Sequence, residues 1–198
     1  MGVCMTILQS ERLLLRPLEH GDLAALTAIF ADHDHMWDLM DIPGRSNDPA
    51  TLASFYLERS LWAFDRYGGG MWAILDRATP AGLLLGYTGF VIDIDEEIDV
   101  AKEIEAGWAM ASGNTGKGIA LEATAALFDH TFDQLGSAKI SAVTSPDNHA
   151  SRHLMDRLGM IHERDITAYQ GRQVVYVVGR DAWRQKRAEI TSQAALPR

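Results

Sequence analysis

Apolar positions recur along the chain at two periods, and the switches between them mark out its elements. Residues 6–16 (TILQSERLLLR) mix apolar and polar positions as a first strand does, closed by Pro17. Asp22 stands where a helix N-cap is wanted, and LAALTAIFA follows at helical spacing. Residues 32–49, rich in Asp, His, Met, Pro and Gly, read as an irregular connection. A second helix is predicted from Ala50 to Tyr67, with Leu52, Phe55, Tyr56, Leu61 and Phe64 on its apolar face. Gly68-Gly69-Gly70 breaks it. MWAILD (71–76) and LLLGYTGFVID (83–93) then read as strands joined by a turn over Arg77 to Gly82, and Asp93 to Asp99 as a solvated hairpin tip.

KEIEAGWAM (102–110) is a fourth strand, and the helix Leu121 to Leu135 ends at Gly136. AKISAVTS (138–145) has the run of a short buried strand, and the helix Asn148 to Leu158 is stopped by Gly159. Two strands, 160–169 and 172–180, form a hairpin around Gln170-Gly171, and a charged helical tail closes the chain. The order β-α-α-β-β-β-α-β-α-β-β requires at least one parallel pair through a right-handed crossover, while the hairpins require antiparallel neighbours. The expected fold class is α/β: a mixed, mostly antiparallel seven-stranded sheet with helices on both faces. One domain is expected over 1–198, with a core of about 6–180 and a tail of about 181–198.

Composition narrows the function classes. A net charge of −9 and a pI near 5.2 argue against nonspecific nucleic-acid binding but leave a cationic small substrate or a basic protein tail open. Cys4 is the only cysteine, so no intramolecular disulfide and no thiolate metal cage can form, which suits a reducing cytoplasm. No apolar run approaches the ~20 residues of a membrane span. Met1 to Thr6 matches the myristoylation pattern M-G-x-x-x-S/T, but without a polybasic second signal it reads as a frayed leader. Asp32-His33-Asp34-His35 places four ligand types together without a distant partner and reads as a solvated loop, so no metal is expected. The acidity of this connection hints at a cationic acceptor.

The composition turns unusual at GNTGKG (113–118), between a strand and a helix. A nucleotide P-loop requires a hydroxyl after its lysine, and Gly118 follows Lys117, with Ala111 in place of the pattern's first glycine. A dinucleotide fingerprint fails on spacing, on position and on the missing acid. A turn that glycine merely permits stays open at this point. Against that, unpaired N–H groups at the helix start, the helix dipole and the Lys117 ammonium converge on one spot, as a pyrophosphate seat requires.

Thr115 through Ala120 resembles the Gln/Arg-x-x-Gly-x-Gly/Ala pyrophosphate loop of the GNAT acyltransferases, with Thr115 where Gln or Arg is usual. Glu11-Arg12-Leu13-Leu14-Leu15-Arg16-Pro17 resembles the opening strand of the RimJ/RimL-type subfamily, and GKGIALEA its loop and helix. Asn148-His149-Ala150-Ser151, followed by Arg157-Leu158-Gly159-Met160, is similar to its N-x-x-S…K-x-G-F/M segment, with Arg157 for the lysine. The likeness spans roughly residues 6–180 and implies a cytoplasmic N-acetyltransferase of GNAT fold, monomer or homodimer, using acetyl-CoA without metal.

On that resemblance, Gly113, Asn114, Thr115, Gly116, Lys117, Gly118, Ile119 and Ala120 hold the diphosphate. Trp108, Ala109 and Met110 align the pantetheine arm and polarise the thioester, and Asn148 and Ser151 complete the cofactor site. Glu105 matches the glutamate of the family's E-I-G-Y-like strand and is the expected base, the other reading being a solvated strand carboxylate. Ser151 is the expected acid, or else a local cap, with Tyr169 a more distant choice, because Met155 occupies the family's usual tyrosine position. The implied acceptor is a primary amine, of a small molecule or a protein N-terminus. A CoA-binding module without catalysis is the alternative.

Overall fold

The first predicted strand folds back on itself. In the computed structural model, which describes residues 6–32, 48–91, 99–168 and 171–194, it becomes β1 (Leu8–Gln9) and β2 (Leu13–Pro17), antiparallel, with Leu8 opposite Leu15. Ser10 makes the turn: its N–H donates to the Leu13 carbonyl (3.0 Å) and its hydroxyl accepts the Leu13 N–H (3.1 Å). The sheet therefore has eight strands instead of seven.

The remaining strands are β3 (Met71–Asp76), β4 (Gly86–Phe90), β5 (Glu103–Met110), β6 (Lys139–Thr144), β7 (Ile161–Ala168) and β8 (Gly171–Gly179). They lie in the order β1-β2-β3-β4-β5-β6-β8-β7, and only β5 and β6 run parallel. The helices are α1 (Leu23–Phe30), α2 (Pro49–Tyr67), α3 (Ile119–Asp133), α4 (His149–Arg157) and α5 (Arg180–Ala194). Among the described residues no helix is long and apolar enough to cross a membrane. Residues 33–47, residues 92–98 with most of the predicted hairpin tip, residues 1–5 of the myristoylation-like start and Tyr169 lie outside the described residues.

Local chemistry sets the helix ends. Asp48 caps α2 by accepting the Thr51 N–H at 2.9 Å, and Gly68 ends it in the left-handed region at φ 73°. Asp22 does not cap α1 with its side chain. Its buried carboxylate instead takes both Nη atoms of Arg16 (2.7 and 2.8 Å) and the Glu19 N–H, fixing a short 3₁₀ turn over His20–Asp22. A guanidinium held at bidentate distance outcompetes a neutral amide for the same oxygens.

Two apolar clusters flank the sheet. Trp72 and Ile74 of β3 face the cluster built with α3, α4 and α5, while Met71 and Ala73 face the one built with α1 and α2. The charged tail is docked: Trp183 of α5 is buried, its ring lies 5.1 Å from Phe128, and its indole N–H donates to Asp129 at 2.9 Å. Burial of a side chain of that size stabilises by about 1.5–3 kcal/mol.

β3 and β4 cross where Met71 faces Gly89, and a Cβ there would lie 2.2 Å from the Gly70 carbonyl oxygen and 2.4 Å from Met71 Cα. Gly89→Ala is expected to cost about 3 kcal/mol, read as a drop in Tm of roughly 10 °C. Gly171→Ala, where a Cβ meets nothing within 4 Å, should leave Tm in place.

Candidate active site

β5 and β6 pair over three rows only, Glu103 with Lys139, Ile104 with Ile140 and Glu105 with Ser141. Beyond that point both strands continue, to Met110 and Thr144, without pairing to each other. β5 stays joined to β4 throughout, from Ala106 opposite Phe90 to Met110 opposite Gly86. The Val91 N–H donates to the Glu105 carbonyl and the Ala111 N–H to the Leu85 carbonyl, so the odd-numbered residues of β5 spend their backbone groups on β4. By the same alternation the backbone groups of Ala106, Trp108 and Met110 face the opening. Of the three strand residues predicted to align a cosubstrate, Trp108 and Met110 therefore present main chain to the cleft. Ala109 commits its backbone to Tyr87 and its side chain to the cluster under α1 and α2.

Glu105 stands at the last paired row, half-buried, on the sheet face toward α1 and α2. One pleat back, Glu103 is ion-paired with Lys139 at 2.8 Å, and Lys139 also reaches Glu163 at 3.4 Å. Burial would raise the Glu103 carboxyl, but hydrogen bonds from Lys139 and Ser141 outweigh it and hold the group below its ordinary range.

The glycine loop leaves β5 with Gly113, Gly116 and Gly118 all at positive φ (81°, 73° and 75°). Asn114 anchors it, its N–H donating to the Ala111 carbonyl at 3.0 Å and its amide to the Leu85 carbonyl at 3.4 Å, while Lys117 Nζ reaches Asn114 Oδ1 at 3.4 Å. Thr115 is exposed. Gly118 is the N-cap of α3, and the helix ladder begins with the Glu122 N–H donating to the Gly118 carbonyl. The N–H groups of Gly118, Ile119, Ala120 and Leu121 thus have no acceptor among the described residues. The buried Ile119 side chain fixes this turn in the core.

Across the opening, Asn148 is the N-cap of α4 and its Oδ1 accepts the Ser151 N–H at 3.0 Å. The half-buried Ser151 hydroxyl has no hydrogen-bond partner among the described residues. Arg152 ties this corner to β8, donating to the Pro146 carbonyl (2.9 Å) and to the Tyr176 hydroxyl (3.3 Å). Met155 is a core residue, 1% exposed. Among the described residues no group of three metal-binding side chains occurs, and His33, Asp34 and His35 lie outside them. A cavity of about 660 Å³ between β1, α3 and α5 contains none of the predicted site residues.

The acetyltransferase (GNAT) domain profile matches residues 12–161. The chain belongs to the GNAT family. Among curated relatives, the uncharacterized YkkB of Bacillus subtilis is 30% identical over 110 residues, covering 56% of this chain and only 61% of YkkB's own length. The uncharacterized N-acetyltransferase YoaA of the same organism is 26% identical over 168 residues, 82% of this chain and 87% of YoaA. Mycobacterium smegmatis RimJ, solved in complex with CoA-disulfide, superposes with a TM-score of 0.72 at 20% identity, covering 96% of this chain and 93% of that one. At that identity the likeness is one of fold.

Two residues with no predicted role in this GNAT chain, Ser10 and Arg12, grip Glu122 at the start of α3. Burial pushes the Glu122 carboxyl up, but the Arg12 N–H, the Ser10 hydroxyl and the Arg12 guanidinium together bring it below its ordinary value. Because the folded pKa is depressed, this group's stabilisation is full above the unfolded carboxylate pKa and disappears as pH falls through the folded one. Unfolding free energy measured by urea titration from about pH 5 down to 3 should therefore fall less steeply for Glu122→Gln than for wild type.

Proposed function

We propose that the chain is an N-acetyltransferase that passes an acetyl group from acetyl-CoA directly to a primary amine, on a small molecule or a protein N-terminus, within a ternary complex. The observation that carries this reading is the parting of β5 from β6 beside a loop whose N–H groups converge at the start of α3. That RimJ, which shares the fold, was solved with a CoA disulfide supports it.

In this reading the N–H groups of residues 118–121 and the Lys117 ammonium bind the diphosphate, and the positive φ of the glycines lets backbone approach it closely. Trp108 and Met110 pair with the pantetheine amides as an added strand would. The Trp108 N–H polarises the thioester carbonyl. Glu105, at the apex of the opening, takes the proton as the amine nitrogen forms its bond to the carbonyl carbon. The C–S bond then breaks, and the thiolate leaves with a proton from Ser151 or from water. Met155, buried in the core, supplies none.

An amine-acceptor panel read by release of free thiol tests the reaction. Acetyl-CoA should raise Tm, and at least one amine should release CoA. A thermal shift without any thiol release would make the chain a CoA-binding module instead. Gly116→Asp, which places a β-carbon at φ 73° and a carboxylate in the anion seat, should abolish the shift. Glu105→Gln should lower kcat/KM by about 10²–10³ and flatten the acid limb of the pH–rate profile while leaving CoA affinity in place. An unaltered rate would remove Glu105 from the mechanism.

A further inference from the structure

The start of α3 carries a charge of the wrong sign for an anion site. Glu122 lies in its first turn, and a carboxylate there opposes any diphosphate held on the N–H groups one turn earlier. The β1–β2 turn answers that charge from 110 residues away. Arg12 Nε donates to Glu122 Oε2 at 2.6 Å, the Arg12 N–H to Oε1 at 2.8 Å, and the Ser10 hydroxyl to Oε1 at 2.7 Å. Both Arg12 Nη atoms then continue past Glu122 to the Lys117 carbonyl, at 3.3 and 3.4 Å. The guanidinium ends beside the loop itself, 3.6 Å from the point where a Cβ on Gly118 would stand.

We infer that Arg12 is a positioning residue for the cosubstrate: it neutralises Glu122 and fixes the Lys117 carbonyl behind the loop, so that the α3 N-terminus presents net positive potential to the CoA diphosphate. This rests on the reading of residues 113–120 as the CoA loop. Two features give the pair a role beyond holding the hairpin. Arg12 spends its remaining donors on the loop carbonyl rather than on its own hairpin, and Glu122 is the only acidic side chain in the first turn of α3. A planar fork that spans a carboxylate and a carbonyl is geometry that lysine cannot reproduce in full.

The test is calorimetric titration of CoA into the full chain and its variants, each first shown to melt cooperatively. Arg12→Ala is expected to weaken CoA binding by about tenfold, the order of one unbalanced charge near a diphosphate. Arg12→Lys, which keeps the charge but loses the fork to the Lys117 carbonyl, should fall between Arg12→Ala and wild type. The decisive variant is Arg12→Ala combined with Glu122→Gln. It removes the brace entirely yet also removes the repulsion, so it should bind CoA more tightly than Arg12→Ala alone. A double variant no tighter than the single one, or an Arg12→Ala affinity equal to wild type, overturns the inference while leaving the CoA reading intact. Wild type failing to bind CoA takes both down.

Discussion

Everything about the site depends on where β5 and β6 stop sharing hydrogen bonds. Three rows of parallel pairing hold the two halves of the sheet together, and the third ends at Glu105. The closed part is pinned by charge as well as by backbone: Lys139 of β6 stands between Glu103 of β5 and Glu163 of β7, linking three strands at the row where pairing begins. Past Glu105, β5 is kept straight by β4 while β6 follows β8. Each strand keeps its antiparallel ladder on the other side, so the two diverge with only their facing edges unpaired. The opening exposes main-chain donors and acceptors that a closed sheet would have consumed.

Much of this was legible in the sequence because it follows from local rules. The left-handed glycines after α2 and α4, the apolar period of α3, and the alternation that puts Glu103 and Glu105 on one face of β5 all act over a few residues. What escaped was decided by specific pairings that no local pattern announces. A two-residue strand such as β1 has no period to read, and its turn at Ser10 lacks the glycine or proline that marks most turns. Asp22 has the composition of a cap, yet Arg16 claims it. Glu122 could be read as fixing the loop or facing solvent, but its partner Arg12 looks like an ordinary surface charge until the fold sets the two 2.6 Å apart. Met155 could be read as the absence of a tyrosine, but not as a residue the core takes for itself.

As the proposed anion seat, the glycine loop relies on little side-chain chemistry. Thr115 contributes no charge and is exposed, and Lys117 leans on Asn114. What remains is main chain: three residues at positive φ, an anchoring asparagine, and four N–H groups at a helix start whose orientation follows from helix geometry. Irregularity in the motif's side chains is tolerable where the binding groups belong to the backbone.

α3 is held at both ends by carboxylates that reach different parts of the chain. Glu122 binds the β1–β2 turn, and Asp129, two turns later, receives the Trp183 indole at 2.9 Å and the Arg187 guanidinium at 2.8 Å from α5. Contacts at two points along its length resist tilting and sliding of the helix. In the proposed reading the cosubstrate half of the cleft is thus largely preformed, which lowers the conformational entropy lost when a ligand arrives. In the same reading the acceptor side belongs to the opposite face of the sheet, where α1 and α2 pack as a smaller, separate cluster. A division of donor and acceptor between two faces of a single sheet would let acceptor preference change in evolution without disturbing the half that receives the acyl donor.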